Sequence, residues 1–225
     1  EAVLSIENIF MSCLNGQISP DPFFDRMTKQ RFGFTIEEPG AVFAVWLGDG
    51  FAEEKKEAKS IIGQAEQFGL GCISRVFEAR VWNLLFVVLY RIEDEEKAYT
   101  YLEKKIVPKL CRKLKGTVVC IWSETERIVD LPDVLKHMNF MKDWNLLFDR
   151  GELIRQEVID RQKTIPLKYP AEIGNQARQA VPAKDSEEIR RSYYRFYDYI
   201  RREPHSPGEM KECLIRFNMA LLNVY

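Results

Sequence analysis

The residues of this chain that could do chemistry are few and lie far apart in the sequence. Asp49 follows the apolar run 41–47 and has a glycine on either side. A carboxylate at the end of a strand could bind a divalent cation, and an Asp between glycines also suits a plain turn. His137 and His205, the only histidines, have no nucleophile or orienting acid beside them in the sequence. No Gly-rich phosphate loop, nucleophile elbow or zinc-protease helix occurs, so we expect no catalytic residues and no cofactor.

Composition narrows the classes of protein to consider. The 225 residues, 46% of them hydrophobic and 30% charged, are typical of a soluble globular protein with one large or two small domains. The 33 basic and 34 acidic residues nearly cancel, which argues against direct binding of nucleic acid by this chain. The five cysteines form no Cys-x-x-Cys pair, so we expect reduced thiols in the cytoplasm and no metal site. The longest strongly apolar run, 84–90, is too short to span a bilayer, and no membrane segment is expected.

Hydrophobic spacing predicts an α+β fold in the middle of the chain. Strands are predicted at 41–47, 72–78, 81–90 and 117–122, with a further strand or hairpin at 145–148 and 152–155. The short gap between the second and third strands predicts a hairpin. Helices are predicted around Ala58 and Ile61, after the capping residue Asp94, and over 132–142; Pro108 should kink or restart the second of these. Helices placed around a central hairpin favour a mixed sheet covered on one face, of the class related to ferredoxin-like folds.

The two ends of the chain are predicted to be helical. Val3, Ile6 and Phe10 recur at helical spacing, and Ser19-Pro20 is expected to begin a second short helix. Beyond Ile165, prolines punctuate the chain and all further patterns are helical, which predicts a C-terminal helical bundle. Capping boxes are expected at 185–188 and 206–209. The predicted organisation is N-terminal helices over 1–36, an α/β domain over 37–165 and a C-terminal helical segment over 166–225.

The C-terminal helices carry more aromatic surface than one packing face requires. Packing within the bundle explains part of it, and a dimer or interdomain contact is the other reading, because interface cores favour Tyr and Phe. The candidate interface residues are Tyr193, Phe196, Tyr197, Phe217 and Leu221.

The predicted hairpin resembles a segment of the diguanylate cyclases. In that family an Arg and an aromatic residue precede Gly-Gly-Asp-Glu-Phe, and here the aligned segment runs from Arg80 to Phe86. Trp82 and Asn83 replace the two glycines, while Leu84 and Leu85 replace the two acids. Asp49 lies where the family has the first-strand acid of an Asp-x-Phe sequence. Two-metal chemistry needs acids from both places, so the resemblance implies a degenerate cyclase-like domain that binds no metal and is not an enzyme.

The wider chain resembles the middle region of AraC-type response regulators of Gram-positive bacteria. Ile9-Phe10-Met11-Ser12-Cys13-Leu14-Asn15-Gly16 is similar to the helix that opens this region, and the segments at 169–172, 185–188, 206–207 and 221–222 are similar to its helical end. The chain opens without Met, and we expect it to be a piece of a longer protein. The resemblance implies a non-catalytic relay in a two-component system, with an upstream receiver or sensor and a downstream AraC-type DNA-binding domain in the same chain. A homodimer is also expected. The alternative is a ligand-sensing domain that binds a nucleotide or small metabolite in a degenerate cyclase cleft.

Overall fold

A computed structural model describes residues 12, 16–17, 19, 21–64 and 76–222. These residues form two compact units. The first unit comprises the described residues up to Lys142 together with Arg150–Gln156, and the second comprises Asp143–Asp149 and the described residues from Glu157 onward. The helix predicted around Val3, Ile6 and Phe10 lies outside the described residues.

The first unit is built on a mixed β-sheet, which confirms the predicted α+β class. Within the described ranges its strands are β1 (Gly40–Trp46), β2 (Phe77–Ala79), β3 (Leu84–Tyr90), β4 (Val119–Thr125) and β5 (Leu153–Ile154). The strand order is β2-β3-β1-β4-β5. β1 pairs antiparallel with β3 and β4, β2 pairs antiparallel with β3, and β4 pairs parallel with β5. The predicted hairpin is therefore present as β2 and β3, and the central strand is β1.

Both faces of the sheet are buried, so the prediction that only one face is covered is wrong. Every residue from Ala41 to Val45 is 0% exposed, although successive side chains point to opposite faces. On one face Phe43, Leu85 and Val87 belong to a core that also contains residues of the helices that follow β1 and β3. A strand buried on both faces has a continuous apolar sequence instead of an alternating one, and 41–47 is such a sequence.

Helices connect the strands of the first unit. They are α1 (Pro22–Phe32), α2 (Phe51–Ile62), α3 (Glu95–Tyr101), α4 (Val107–Lys113) and α5 (Leu131–Met141). The short α6 (Gln156–Asp160) begins at the last residue of this unit and lies mostly in the second unit. Short 3-10 turns occur at Gly48–Gly50, Arg80–Trp82, Ile128–Asp130 and Lys142–Leu146. The predicted cap of α3 is confirmed, because the Asp94 side chain accepts a hydrogen bond from the Lys97 N–H at 2.9 Å. α1 is capped by Asp21 and has Pro22 in its first turn, so the prediction of Ser19-Pro20 at its start is wrong.

Two further predictions can be compared with the structure, one in the first unit and one in the segment Asp143–Asp149 of the second unit. A π-helical turn, Leu102–Ile106, joins α3 to α4 just before Pro108. Proline cannot donate the usual helical hydrogen bond, and a wider turn accommodates this loss without ending the helix. The predicted strand at 145–148 is wrong: Leu147 and Phe148 donate their N–H groups to the Trp144 carbonyl oxygen, which closes a turn.

The second unit contains the helices α7 (Ala171–Ala180), α8 (Ser186–Arg201) and α9 (Pro207–Leu222). Its core is formed by Ala177, Phe196, Ile200, Met210, Cys213 and Phe217. The rings of Phe196 and Phe217 stack with their centroids 4.2 Å apart. The segment Asp143–Asp149 belongs to this unit through Leu146, which packs on the core, and through an ion pair of 2.5 Å between Asp143 and Lys211.

Candidate functional site

The candidate site lies at the end of the sheet where β1 ends and where β3 and β4 begin. We call this end of the sheet the β1 edge. Trp46, the last residue of β1, pairs with Leu84 of β3 and with Val119 of β4. The β1 edge comprises the turn after β1 (47–50), the hairpin turn (80–83) with the first residues of β3 (84–86), and the loop before β4 (114–118). All sequence positions that align with the cyclase residues lie in it, because the register brings the end of β1 beside the start of β3.

The hairpin turn holds Trp82 and Asn83, the positions that align with the two glycines of the cyclase family. Asn83 has a left-handed backbone with φ of 53°, and its carbonyl oxygen accepts a hydrogen bond of 3.2 Å from the Leu47 N–H. Among non-glycine residues Asn tolerates left-handed geometry best, which explains why this turn can be closed without a glycine. Trp82 and Asn83 are both half-buried, whereas Val81 at the tip is 93% exposed.

Leu84 and Leu85 lie inside the protein and belong to its packing. Both are 0% exposed. Leu85 packs in the core that contains α2, α3 and α4, and Leu84 points to the opposite face because side chains alternate along a strand. A carboxylate at either position would be removed from water without a partner, at a cost of several kcal/mol. The β1 edge therefore presents leucine side chains to the core where a cyclase presents carboxylates to metal ions.

The first-strand acid, Asp49, is exposed in the 3-10 turn Gly48–Gly50. In the parts of the chain that the structure describes, no three His, Cys, Asp or Glu side chains are placed to hold a metal ion. The half-buried residue at the end of β1 is Trp46, and the Lys142 ammonium lies 5.7 Å from its ring centroid. Gly48, with φ of +52°, lies against the same ring, since a Cβ there would be 3.5 Å from a Trp46 ring carbon. The Trp46 ring thus packs against Gly48, the residue before Asp49, and lies next to the Lys142 ammonium.

A carboxylate that sequence reasoning missed, Glu54, fastens the β1 edge. Its Oε1 accepts hydrogen bonds from the N–H groups of Lys115 (2.6 Å) and Gly116 (3.0 Å), in the loop before β4. Its Oε2 is buried and has no hydrogen-bond partner among the described residues. Arg150 binds the same loop from its other side, donating to the carbonyl oxygens of Leu114 (2.6 Å) and Gly116 (2.9 Å). We call Glu54, Arg150 and the loop between them the loop clamp.

The clamp explains why two glycines lie near Glu54. A Cβ at Gly116 would be 2.9 Å from Glu54 Oε2, and a Cβ at Gly50 would be 3.2 Å from the same atom. Both glycines leave room for the carboxylate. The sequence signal for this contact is weak: an acid in the first turn of a helix has several explanations, favourable interaction with the helix dipole among them.

A second charged cluster ties the hairpin to α2. Glu78 of β2 receives ion pairs from Lys59, Lys55 (3.4 Å) and Arg80 (3.1 Å). The hydrogen bond from Lys59 is the largest cause of a pKa of about 2 for Glu78, well below its usual 4.5; Arg80 and Lys55 act in the same direction and partial burial opposes them. The Glu78 carboxylate is therefore charged at neutral pH and joins the edge strand to the helix.

The residues of the predicted C-terminal interface occupy different environments. Phe196 and Phe217 are 0% exposed in the core of the second unit, whereas Tyr193 is 43% exposed. Tyr197 and Leu221 are partly buried against the same core. The outer surface of α9 carries other exposed apolar side chains, at Ile215, Met219 and Leu222.

The histidines and cysteines are not brought together with Asp49 by any described contact. His205 is buried and its Nδ1 lies 2.8 Å from the Ile165 carbonyl oxygen, so Nδ1 carries the donated hydrogen. His137 is exposed and contacts Gln156. Cys111, Cys120 and Cys213 are free thiols, while Cys13 and Cys72 lie outside the described residues. Burial raises the pKa of the Cys120 thiol well above its ordinary value, which keeps it protonated.

Comparison with known proteins gives no match: no family model, curated protein or solved structure matches the chain. Over the described ranges, every helix is too short or too polar to cross a membrane.

Proposed function

We propose that this chain is a non-catalytic signal-relay domain of a bacterial AraC-type transcriptional regulator. It would couple an upstream receiver or sensor to a downstream helix-turn-helix domain in the same polypeptide. The observation that carries the proposal is the complete burial of Leu84 and Leu85 at the hairpin, where an active cyclase needs carboxylates. The hairpin is present in this chain, and the positions that bind metal in a cyclase hold leucines that are buried in the core.

The connectivity of the sheet supports the cyclase-like part of the proposal. Strand, helix, strand, strand, helix, strand follow one another from β1 to β4, with β1 central and β2 at one edge. This is the split βαβ order of ferredoxin-like folds, the class to which the sequence resemblance assigns the domain. The added strand β5 extends the sheet beyond β4.

The proposed mechanism is mechanical. The chain passes from one unit to the other after Lys142, Asp149 and Gln156, so three covalent connections join the units. The C-terminal helices would form the bundle that transmits a change in the first unit to whatever follows. Such coupling requires an element with two arrangements whose equilibrium both ends can bias.

The relay is tested by hydrogen exchange on the whole chain. Leu85→Ala removes a fully buried side chain from the first unit, and Val81→Ala, 93% exposed at the same hairpin, is the matched control. We expect Leu85→Ala to speed amide exchange in α8 and α9 while Val81→Ala does not. Unchanged exchange in both helices would contradict the relay.

The absence of cyclase activity is tested separately by incubating the protein with GTP or ATP and Mg²⁺ or Mn²⁺. We expect no product. Nucleotide product from the wild-type protein that is lost in Asp49→Asn would overturn the proposal. A thermal-shift screen with nucleotides tests the ligand-sensing alternative, because a ligand at about 100 times its Kd stabilises the folded state by about 2.7 kcal/mol. Finding a receiver domain and a helix-turn-helix pair in the complete gene product tests the regulatory context.

A further inference from the structure

The outer face of α9 carries an apolar stripe that nothing in the described structure covers. Ile215 is 60% exposed, Met219 is 53% exposed and Leu222 is 75% exposed. The opposite face of the same helix buries Met210 and Phe217 completely, so the helix is already anchored without these three side chains. Ile215, Met219 and Leu222, called here the α9 stripe, are therefore not needed for packing within the second unit.

The spacing of the α9 stripe suits contact with another helix. Its residues follow one another four and then three positions apart, which is the spacing of the apolar seam in a pair of packed helices. A seam of this kind inserts each side chain between residues of the facing helix, and it is best filled by a partner with the same spacing. We propose that the α9 stripe is the contact surface of a homodimer in which α9 packs against α9 of a second copy.

Charge selects the orientation of the two helices. The residue that continues this seam one turn before Ile215 is Glu212, which is exposed. In a parallel pair Glu212 would face Glu212 of the second copy, and two like charges in a seam repel each other. In an antiparallel pair Ile215 faces Met219 of the second copy, and Leu222 faces Glu212. The antiparallel arrangement is self-complementary, as a two-fold dimer requires.

The area of the α9 stripe determines how strong a dimer we expect. Three side chains of this size expose an apolar area on the order of 300–400 Å² per copy. With the flanking polar residues, a pair of α9 helices buries roughly 1,000–1,200 Å² in total, at the low end of specific protein interfaces. We therefore expect a reversible dimer with a Kd on the order of 10–100 μM.

This inference does not depend on the regulatory role proposed above, and a dimer would be compatible with ligand sensing as well. It differs from the interface predicted from sequence, whose members Phe196 and Phe217 are buried in the core. Their burial leaves Tyr193 and the neighbouring exposed Tyr194 as the aromatic surface that α8 could offer instead. The two surfaces can be separated by mutation.

The test is sedimentation equilibrium of the 225-residue chain over a range of protein concentrations. Ile215→Glu and Met219→Glu each place a carboxylate in both copies of the central layers, and we expect either to raise Kd at least about tenfold. Glu212→Leu adds an apolar layer at both ends of the seam, and we expect it to lower Kd by about tenfold. Because all three positions are exposed, the circular dichroism spectrum should stay unchanged.

Two control variants make the test specific. Tyr194→Glu changes a side chain that is 60% exposed on α8, and Phe140→Glu changes one that is 71% exposed on α5. We expect both to keep the wild-type Kd. A wild-type chain that stays monomeric up to about ten times the expected Kd would overturn the proposal. So would a dimer that survives Ile215→Glu and Met219→Glu, or one that Tyr194→Glu disrupts in their place.

Discussion

The loop clamp allows a sharp test of the packing at the β1 edge. In Gly116→Ala the new Cβ would lie 2.9 Å from Glu54 Oε2, closer than such atoms approach. Glu54 Oε2 is buried and Oε1 accepts hydrogen bonds from Lys115 and Gly116, so a shift of the carboxylate away from the new Cβ weakens those bonds. Each bond to a charged acceptor contributes about 1.5–3 kcal/mol, and water can replace part of it in the exposed part of the loop. We expect Gly116→Ala to lower the free energy of unfolding by about 2–3 kcal/mol.

The physical reason can be isolated with a double-mutant cycle. Glu54→Ala alone should cost about 1–3 kcal/mol, because it removes the same two hydrogen bonds. In the double variant the new Cβ at 116 no longer meets a carboxylate, so its cost should be close to that of Glu54→Ala alone. The coupling between the two substitutions should therefore be about 2 kcal/mol, measured by urea unfolding with a probe in the first unit.

Gly50→Ala serves as the matched control, since its Cβ would be 3.2 Å from the same oxygen. A few tenths of an ångström of movement relieve that contact, and we expect a cost below about 1 kcal/mol. Additive effects of Gly116→Ala and Glu54→Ala would show that the glycine is needed for some reason other than the carboxylate, and the account of the clamp would be wrong.

Three further predictions concern other parts of the protein. Because the pKa of Glu78 is about 2 in the folded protein and 4.5 is its ordinary value, its ion pairs stabilise the fold above pH 4.5 and lose this effect as the pH falls towards 2. Glu78→Gln should thus cost about 1–2 kcal/mol at pH 7, after discounting for the exposure of Arg80 and the two lysines, and almost nothing at pH 2; an equal cost at both values would refute the assignment. Leu84→Asp places a carboxylate at the position that aligns with the first acid of the cyclases. It should unfold the first unit and create no Mg²⁺ site, because the position is 0% exposed; a folded variant whose melting temperature rises with Mg²⁺ would contradict this. Gly174→Ala should cost about 1–3 kcal/mol in thermal melts, since a Cβ there would overlap the Tyr169 hydroxyl oxygen, and Tyr169→Leu should relieve most of that cost; a cost that persists in the double variant would exclude this clash as the cause.

Much of the fold follows from local sequence rules. The capping box at Ser206 is present as predicted, with its hydroxyl donating to Glu209 Oε2 at 2.8 Å and accepting from the Glu209 N–H at 3.3 Å. The helix predicted over 132–142 is α5, displaced by one residue. Such signals succeed because the groups involved are neighbours in the chain, and their geometry is fixed before any tertiary contact forms.

The predictions that were wrong concern features that depend on contacts between residues distant in the sequence. Ser19-Pro20 and Asp21-Pro22 carry equivalent helix-start signals, and local rules alone could not choose between them. Leu221 and Leu222 are adjacent and equally apolar, yet Leu221 packs against the core while Leu222 is 75% exposed. Which side of the helix faces the core depends on its tertiary contacts, and the spacing of apolar residues in the sequence does not identify those contacts.

The candidate site shows the same division. The short gap between two apolar runs predicted the hairpin of β2 and β3, because short loops have few conformations. Glu54 was missed, since its partners Lys115 and Gly116 lie about sixty residues away and contribute only backbone groups. Because every residue except proline carries a backbone N–H group, the residue type does not reveal which of them donates to a side chain. The exception is a glycine that makes room for the approaching side chain.

The membership of Asp143–Asp149 in the second unit has a consequence for biosynthesis. During translation this segment leaves the ribosome well before α8 and α9, which supply the Arg201 and Lys211 side chains that pair with Asp149 and Asp143. The side chains of Trp144, Leu146 and Phe148 therefore cannot complete their packing on the nascent chain until α8 and α9 have emerged. Completion of the second unit is delayed until α9 has left the ribosome, and a polypeptide cut short before α9 would leave the apolar side chains of this segment exposed to chaperones.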